Sequence, residues 1–236
     1  MAIAYCGPPP VPAEIATSFN ADPALLIALA GLTVGLRRQP VGVAGFAVLF
    51  VAFVSPLCAL SSALFAARSA HHLLVVAVAA PLLALSLPGW RAGSPHIWLL
   101  VSGATLWLWH LPQAYDAALS SVPLYWFMQL ALLFAAIGMW RSVFTPGREP
   151  IARFLVIVLA FAQMGLLGAL LTFAAEPLYA AHATAPLLWG LTPLDDQRLG
   201  GLIMWVAAAV PYAAVAALLV RREWAVLTRD AKGLSA

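Results

Sequence analysis

The sequence has very few charged residues for its length. Only 9% of its 236 residues are Asp, Glu, Lys or Arg, whereas 64% are hydrophobic. A soluble domain has about 25% charged and roughly 45–50% apolar residues, because polar side chains must cover its surface. The composition therefore excludes a soluble enzyme and a disordered chain. It indicates an integral membrane protein with several helical spans.

The sequence also lacks the motifs of nucleic-acid binding and of common enzyme chemistry. The chain has 12 Lys and Arg against 9 Asp and Glu, and the basic residues are too scattered to follow a phosphate backbone. Nucleophilic triads, phosphate-binding loops and dinucleotide motifs are absent from it. The apolar runs contain almost no charge, which argues against a pump or a proton-coupled transporter. We therefore expect neither an enzyme nor a nucleic-acid-binding protein.

Cysteine is scarce as well. Cys6 and Cys58 are the only two in the chain, and nothing in their spacing suggests a disulfide. The N-terminal segment lacks the basic region and the apolar core of a cleaved signal peptide. We expect residues 1–20 to be a Pro-rich lead-in, residues 21–220 to form the transmembrane domain and residues 221–236 to be a short cytoplasmic tail.

Long apolar runs dominate the rest of the sequence. A helix that crosses the membrane needs about 20 mostly apolar residues. The runs are continuous, without the alternation of a membrane barrel, so they predict an all-α polytopic bundle. We predict about seven spans: 21–36, 41–64, 71–88, 96–112, 122–144, 151–174 and 199–220.

The charge distribution predicts an orientation for these spans. Positive residues are retained on the cytoplasmic side of a membrane. With seven spans, only Arg68 and Arg198 fall on one side. Ten basic residues fall on the other side: Arg37, Arg38, Arg91, Arg141, Arg148, Arg153, Arg221, Arg222, Arg229 and Lys232. We therefore predict the N-terminus outside and the C-terminus in the cytoplasm.

Several residues with metal-binding side chains fall near the outer ends of the predicted spans. They are His71, His72, His110 and Met204. Imidazole and thioether groups are ligands that copper favours. The topology therefore predicts that any chemistry lies at the outer leaflet.

Four local strings are informative when taken together. They are SPLCALSSALFAARSAHHLL at 55–74, APLLALSLP at 80–88, LWHLPQAYDAAL at 108–119 and EPLYAAHATAPLLWGLTPLDDQRLGGLIMWV at 176–206. Over about residues 40–210 the chain resembles the seven-span CtaG family of cytochrome c oxidase assembly factors. The most specific pieces are PLDDQRLGGLIMW and the pattern W-H-x-P-x-x-Y, formed by Trp109, His110, Pro112 and Tyr115.

The resemblance implies a role in the biogenesis of a haem-copper oxidase. It implies oxidase subunits and the lipid bilayer as partners, in a bacterial inner membrane. It also implies copper as the ligand at the outer face, with haem as a less favoured alternative.

The chain departs from the family pattern at several positions of candidate ligands. Where the family reads close to L-F-x-x-H-M-x-Q-H-L-L, this sequence has Arg68 at the first histidine and His71 at the glutamine, and only His72 keeps its place. Where the family often reads H-x-x-E-H, the residues are Tyr125, Met128 and Gln129. These departures indicate a divergent member.

Each candidate ligand also has a structural interpretation. His71 and His72 are either ligands or haem contacts, or half-solvated histidines at the interface. His110 is either a ligand or a structural residue, and Met204 is either a Cu(I) ligand or a core residue that fills a gap. Arg68 is a candidate partner for a haem propionate or for an acid of the 176–196 loop.

The PLDDQRLGGLIMW block allows two interpretations as well. Asp195 or Asp196 caps the last span, with Gln197 in its first turn, or the block forms a docking surface for a basic partner or a transient cation site. Gly200 and Gly201 allow close approach of a neighbouring helix or cofactor.

Three functions remain open at this point. The chain is an oxidase assembly factor, a structural accessory subunit of a respiratory oxidase complex, or a stand-alone copper or haem membrane protein.

Overall fold

The computed structural model of this chain describes residues 5–87 and 93–233. Pro88, the last residue of the predicted span 71–88, and Arg91, between that span and the next, lie outside these ranges, as does the start of the lead-in. Within the described ranges the regular structure is helical and contains no strand, which confirms the all-α class.

Eleven α-helical segments follow one another along the described residues. They are α1 (Pro23–Gly35), α2 (Pro40–Val54), α3 (Pro56–Ala63), α4 (Phe65–Leu73), α5 (Ala80–Ser86), α6 (Pro95–Leu108), α7 (Pro112–Ser120), α8 (Val122–Phe144), α9 (Pro150–Phe173), α10 (Pro193–Leu202) and α11 (Ala208–Gly233). Two π-helical turns join α4 to α5 (Leu74–Ala79) and α10 to α11 (Ile203–Ala207).

Four continuous helices among the described residues are long and apolar enough to cross a membrane. They are Phe65–Ser86, Val122–Phe144, Pro150–Phe173 and Pro193–Ala225. The pair α2 and α3, bent by 49°, makes a fifth if it is counted as one broken span. The helices α1 and α6 are apolar but shorter, so helix length alone does not confirm seven spans or the orientation of the termini.

The break between α2 and α3 has a local cause. Ser55 has an extended backbone and its hydroxyl accepts a hydrogen bond from Leu57 N–H, which caps α3. Pro56 has no N–H to continue the preceding helix. The predicted span 41–64 is therefore two helices that meet at an angle.

The third predicted span begins earlier than the sequence suggested. We predicted its start at residue 71, whereas the helix starts at Phe65. Arg68 is consequently not in a loop but inside the helix, with only 1% of its surface exposed. The interpretation of His71 and His72 as half-solvated interface residues is also wrong, because both are buried.

The expectation for the cysteines is wrong too. Cys6 and Cys58 form a disulfide across 52 residues of sequence. The lead-in folds back onto the bundle, so that Tyr5 stacks on Tyr125 and Trp189 Nε1 donates to the Pro10 carbonyl at 3.2 Å. Spacing in sequence could not reveal this pairing, because the contact is tertiary.

The long helix α8 connects two polar regions of the bundle. Tyr125, near its start, contacts Arg68, and Arg141, near its end, donates to the Ala84 carbonyl. The two residues are sixteen positions apart, which is about 24 Å along the helix. We call the region around Arg68 the histidine end and the region around Arg141 the arginine end.

Candidate functional site

The histidine end is organised by a buried carboxylate. Asp196 on α10 accepts hydrogen bonds from Phe65 N–H at 2.7 Å and Ala66 N–H at 3.0 Å, the first two amides of α4. A carboxylate at a helix N-terminus satisfies amides that have no partner within the helix and interacts favourably with the helix dipole. Asp196 thus fixes the start of α4, three residues before Arg68.

This contact corrects the predicted role of the acidic pair. The N-cap of α10 is Thr192, whose hydroxyl accepts from Asp195 N–H at 3.1 Å. Asp196 caps a different helix, and Asp195 remains exposed, where it accepts from the Thr192 hydroxyl. The two neighbouring aspartates therefore have separate roles, which their sequence could not distinguish.

Two side-chain pairs join α4 to α8. Arg68 Nη1 donates to Tyr125 Oη at 3.4 Å, and its guanidinium lies 5.3 Å from the centre of that ring. One turn further, Gln129 Nε2 lies 3.3 Å from His72 Nε2. Residues four apart lie on the same face of a helix, so the two pairs join the same faces of α4 and α8 one turn apart. Two positions that depart from the family pattern, Arg68 and Tyr125, therefore contact each other, and a third, Gln129, contacts His72, which keeps its place.

His72, His110, Met164 and Met204 line one small cavity, which we call the histidine cavity. Its volume is about 10 Å³, close to the space that one water molecule needs. Three of the four predicted metal residues are therefore brought together. The fourth, His71, is not part of the lining and packs edge-on against Phe53, with ring centres 4.7 Å apart.

His110 has the arrangement expected of a metal-binding histidine. The helix α6 ends at Leu108 and Pro112 begins α7, as the sequence predicted, so His110 lies in the turn between them. His110 Nδ1 lies 2.7 Å from the Leu106 carbonyl, an acceptor that requires the proton on Nδ1. Nε2 is then deprotonated, and ligating histidines commonly donate their other ring N–H to a carbonyl in this way.

His72 has one ring nitrogen engaged and one without a partner. Its Nε2 accepts a hydrogen bond from Gln129 Nε2, an amide nitrogen that can only donate, so a neutral ring carries its proton on Nδ1, which has no partner among the described residues. A metal ion bound at Nε2 would replace the hydrogen bond from Gln129. The ring centres of His72 and His110 are 6.0 Å apart. A metal–nitrogen bond of about 2 Å puts each ring centre about 3 Å from an ion, so this separation suits two ligands of one ion.

The donor set is soft and uncharged. No group of three or more His, Cys, Asp or Glu side chains suited to a metal occurs in the described ranges. An ion in the histidine cavity would depend on the Met164 and Met204 thioethers as well as on the two imidazoles. Thioethers select Cu(I) over harder divalent ions, so the residues present fit monovalent copper.

A folded segment between α9 and α10 packs over this end of the bundle. Asp116 accepts from Ala180 N–H and Ala181 N–H at 3.1 and 3.0 Å. Gln197 accepts from Leu178 N–H at 2.7 Å and donates to the Leu171 carbonyl at 3.2 Å. Gln197 is therefore a tether for the 174–192 segment rather than an exposed docking residue.

His182 is a buried member of the same segment. Its Nε2 lies 2.7 Å from Tyr115 Oη and its Nδ1 lies 3.3 Å from the Ala63 carbonyl. Burial and the positive charge of Arg68 lower the pKa of His182 from its usual 6.5 to about 4. His182 is thus neutral near pH 7, with both ring nitrogens engaged, and it acts as a structural link.

The two glycines of the motif lie at close helix contacts. A Cβ on Gly201 would come within 2.5 Å of the Gly168 carbonyl oxygen on α9. A Cβ on Gly200 would come within 2.4 Å of the Phe65 ring on α4. Met204 follows one turn later, in the π-helical turn. The string DDQRLGGLIM therefore holds α4, α9 and the 174–192 segment around the histidine cavity.

Sequence reasoning missed some of these residues. The sequence gives no signal that singles out Met164, because methionine is common in apolar spans, and the spacing of the two cysteines does not indicate their pairing. The π-helical turns beside His72 and Met204 could not be read from sequence, although such turns are frequent at functional sites.

Comparison with known proteins identifies the family. A comparison with curated proteins and one with solved structures each found no match. The family model of the cytochrome c oxidase caa3 assembly factor (Caa3_CtaG) matches residues 34–225, which is most of the chain and includes every side chain of the histidine cavity. The chain therefore belongs to the caa3 cytochrome c oxidase assembly factor family, as its motifs indicated.

Proposed function

We propose that this assembly factor binds one Cu(I) ion in the histidine cavity and makes it available to an immature oxidase subunit. The observation that carries the proposal is the convergence of His72, His110, Met164 and Met204 on one cavity of about 10 Å³. Two imidazoles and two thioethers supply a neutral, soft ligand set. Copper bound there would supply the metal that the oxidase active centre requires.

We further propose seven spans in a bacterial inner membrane, with the histidine end outside. In this arrangement α1, α2 with α3, and α6 are the additional spans. Ten basic residues fall on the opposite side, and basic residues are retained in the cytoplasm. The Cys6–Cys58 disulfide supports the same orientation, because disulfides persist in oxidising compartments outside the cytoplasm.

Copper binding can be tested directly on the purified chain. Cu(I) should be titrated in competition with a coloured chelator, and we expect one ion per chain. Loss of a ligand in His110→Ala or Met204→Leu should weaken binding by at least about 100-fold, since even outer-shell partners contribute 10–100-fold.

Matched control variants are available in the same chain. His96 is exposed at the start of α6 and Met139 is buried, and neither is among the residues that line the histidine cavity. His96→Ala and Met139→Leu should bind copper as the unchanged chain does. If all four variants bind equally, or if the chain takes up no copper, the copper proposal is wrong while the family assignment stands.

A structural accessory subunit is the alternative. The departures from the family pattern favour it, because Arg68, Tyr125 and Gln129 contact other side chains instead of offering ligands. Gentle purification of the oxidase distinguishes the two. A permanent subunit co-purifies in stoichiometric amounts, whereas an assembly factor is missing from the mature enzyme, and its deletion leaves an oxidase with reduced copper and altered absorbance.

A further inference from the structure

The buried polar atoms that lack partners are concentrated in one place. Within the part of the chain that the structure describes, every buried side-chain nitrogen or oxygen without a hydrogen-bond partner belongs to one of five residues. They are Arg68, Ser69, His71, His72 and Gln129. Four of these lie within five positions on α4, and Gln129 faces His72 from α8. We call this group the polar cluster.

Most of the unpartnered atoms are hydrogen-bond donors. Arg68 contributes Nε and Nη2, which can only donate, and Ser69 contributes its hydroxyl. His71 has neither ring nitrogen engaged, and a neutral imidazole carries one N–H. Only the Gln129 Oε1 atom is restricted to accepting. A set so rich in donors is suited to an electron-rich ligand.

The polar cluster also carries an uncompensated positive charge. The ion pairs among the described residues are Arg153–Glu223 and Arg198–Asp195, and neither includes Arg68. Asp196, the acid on the helix that packs against α4, is held instead by two backbone amides. A buried guanidinium is strongly disfavoured unless a negative charge or several acceptors balance it. The side chains that reach the guanidinium are neutral: Tyr125 supplies one long hydrogen bond and one ring face, and the Tyr115 hydroxyl also interacts with Arg68.

Two spaces adjoin the polar cluster. The histidine cavity reaches Ser69 and His72 on one side. On the other side, a groove of about 320 Å³ between α1 and α8 reaches Gln129 and Phe53, the residue against which His71 packs. Arg68 lines neither space, so a ligand at its guanidinium would reach it from one of them by a shift of the side chains between.

We propose that the polar cluster binds one small monovalent anion, either a halide ion or a carboxylate group. Arg68 Nε and Nη2 provide the charge-assisted hydrogen bonds. The single buried positive charge matches an anion of charge −1. The polar cluster shares Ser69 and His72 with the histidine cavity, but Arg68 is not a proposed copper ligand, and the anion proposal does not depend on copper binding.

The test uses the purified full chain in detergent. The unfolding temperature is followed by tryptophan fluorescence while sodium chloride replaces sodium gluconate at constant ionic strength, and again while sodium formate replaces it. A ligand that binds only the folded state raises stability with the logarithm of its concentration above Kd. Stabilisation by chloride identifies a halide site, and stabilisation by formate identifies a carboxylate site.

Variants connect the effect to Arg68. Arg68→Gln removes the charge and should weaken the anion by at least tenfold, as expected for hydrogen bonds to a charged group, each worth about 1.5–3 kcal/mol. Arg68→Lys keeps the charge and should retain weaker binding. Arg198→Gln removes an exposed arginine of the same end and should leave the anion dependence unchanged.

Equilibrium dialysis of the unchanged chain with radioactive chloride or formate provides a second measurement, with one anion expected per chain. It decides the matter even if Arg68→Gln does not fold. The proposal is overturned if neither anion binds saturably, or if Arg68→Gln binds as tightly as the unchanged chain.

Discussion

The two ends of the bundle hold their polar side chains in opposite ways. At the histidine end, Arg68, Asp196 and Gln197 are at most 2% exposed, and each contacts a different element. At the arginine end, Arg153 donates to the Val143 carbonyl at the end of α8 and pairs with Glu223, whose side chain is 37% exposed. The first end buries polar groups inside the protein, whereas the second keeps them at helix termini.

This difference predicts at which end a substitution should affect function and stability most. A cation near a helix C-terminus interacts with the free carbonyls there, and the gain in free energy is modest. An arginine at any of several neighbouring positions can make this contact, because it requires no exact geometry. Buried polar groups need partners with good geometry, and loss of one partner leaves the other unsatisfied. The comparison predicts large effects of substitution at the histidine end and small ones at the arginine end.

The largest effect is expected for Asp196→Ala. Its carboxylate accepts two buried hydrogen bonds from the start of α4, each worth roughly 1.5–3 kcal/mol for a charged acceptor. We expect a loss of about 3–5 kcal/mol in the free energy of unfolding, measured by denaturant titration in mixed micelles. The same change should release the start of α4 and weaken contacts of Arg68.

Asp195→Ala is the matched control for that substitution. Its exposed carboxylate accepts a hydrogen bond from Thr192 and forms an exposed ion pair with Arg198 at 4.0 Å, so the loss should stay within about 1 kcal/mol. Equal losses for the two aspartates would contradict the separate roles that the structure gives them.

The disulfide should have the next largest effect. Cys6 and Cys58 are the only cysteines of the chain, so a reducing agent acts there alone. A crosslink that closes a loop of this length contributes about 2–4 kcal/mol, mainly by restricting the unfolded chain. We expect reduction to lower the unfolding temperature clearly.

The double variant with Cys6→Ser and Cys58→Ser should match the reduced protein and should not respond further to the reductant. An unchanged unfolding temperature on reduction would show that the lead-in contributes little to the stability of the histidine end.

Sequence patterns predicted the regular parts of this fold well. The span predicted over 122–144 is the helix Val122–Phe144, and the one over 151–174 is Pro150–Phe173. Both are long apolar runs bounded by proline or polar residues, so local composition decides them. The turn at His110 followed from Pro112 for the same reason.

Tertiary contacts decided what the sequence did not reveal. The start of α4 depends on Asp196, which is 131 residues away from Phe65. The histidine cavity unites residues of α4, α9, the α6–α7 turn and the π-helical turn after α10. No periodicity within one segment can indicate such a meeting, and the family motif marked His110 and Met204 without showing that they are neighbours.

The smallest effect is expected for Glu223→Gln at the arginine end. The pair joins Arg153 Nη1 to Glu223 Oε1 at 3.2 Å, but the carboxylate is partly exposed, and exposed ion pairs contribute about 0–1 kcal/mol. Arg153 keeps its 2.7 Å hydrogen bond to the Val143 carbonyl in the variant, so no buried donor loses all its partners. We therefore expect a loss below about 1 kcal/mol that shrinks further in high salt, because salt screens exposed charges. Denaturant titration at low and high salt measures both quantities. A salt-independent loss as large as that of Asp196→Ala would mean that the arginine end is also a buried polar network, and the contrast between the two ends would then be wrong.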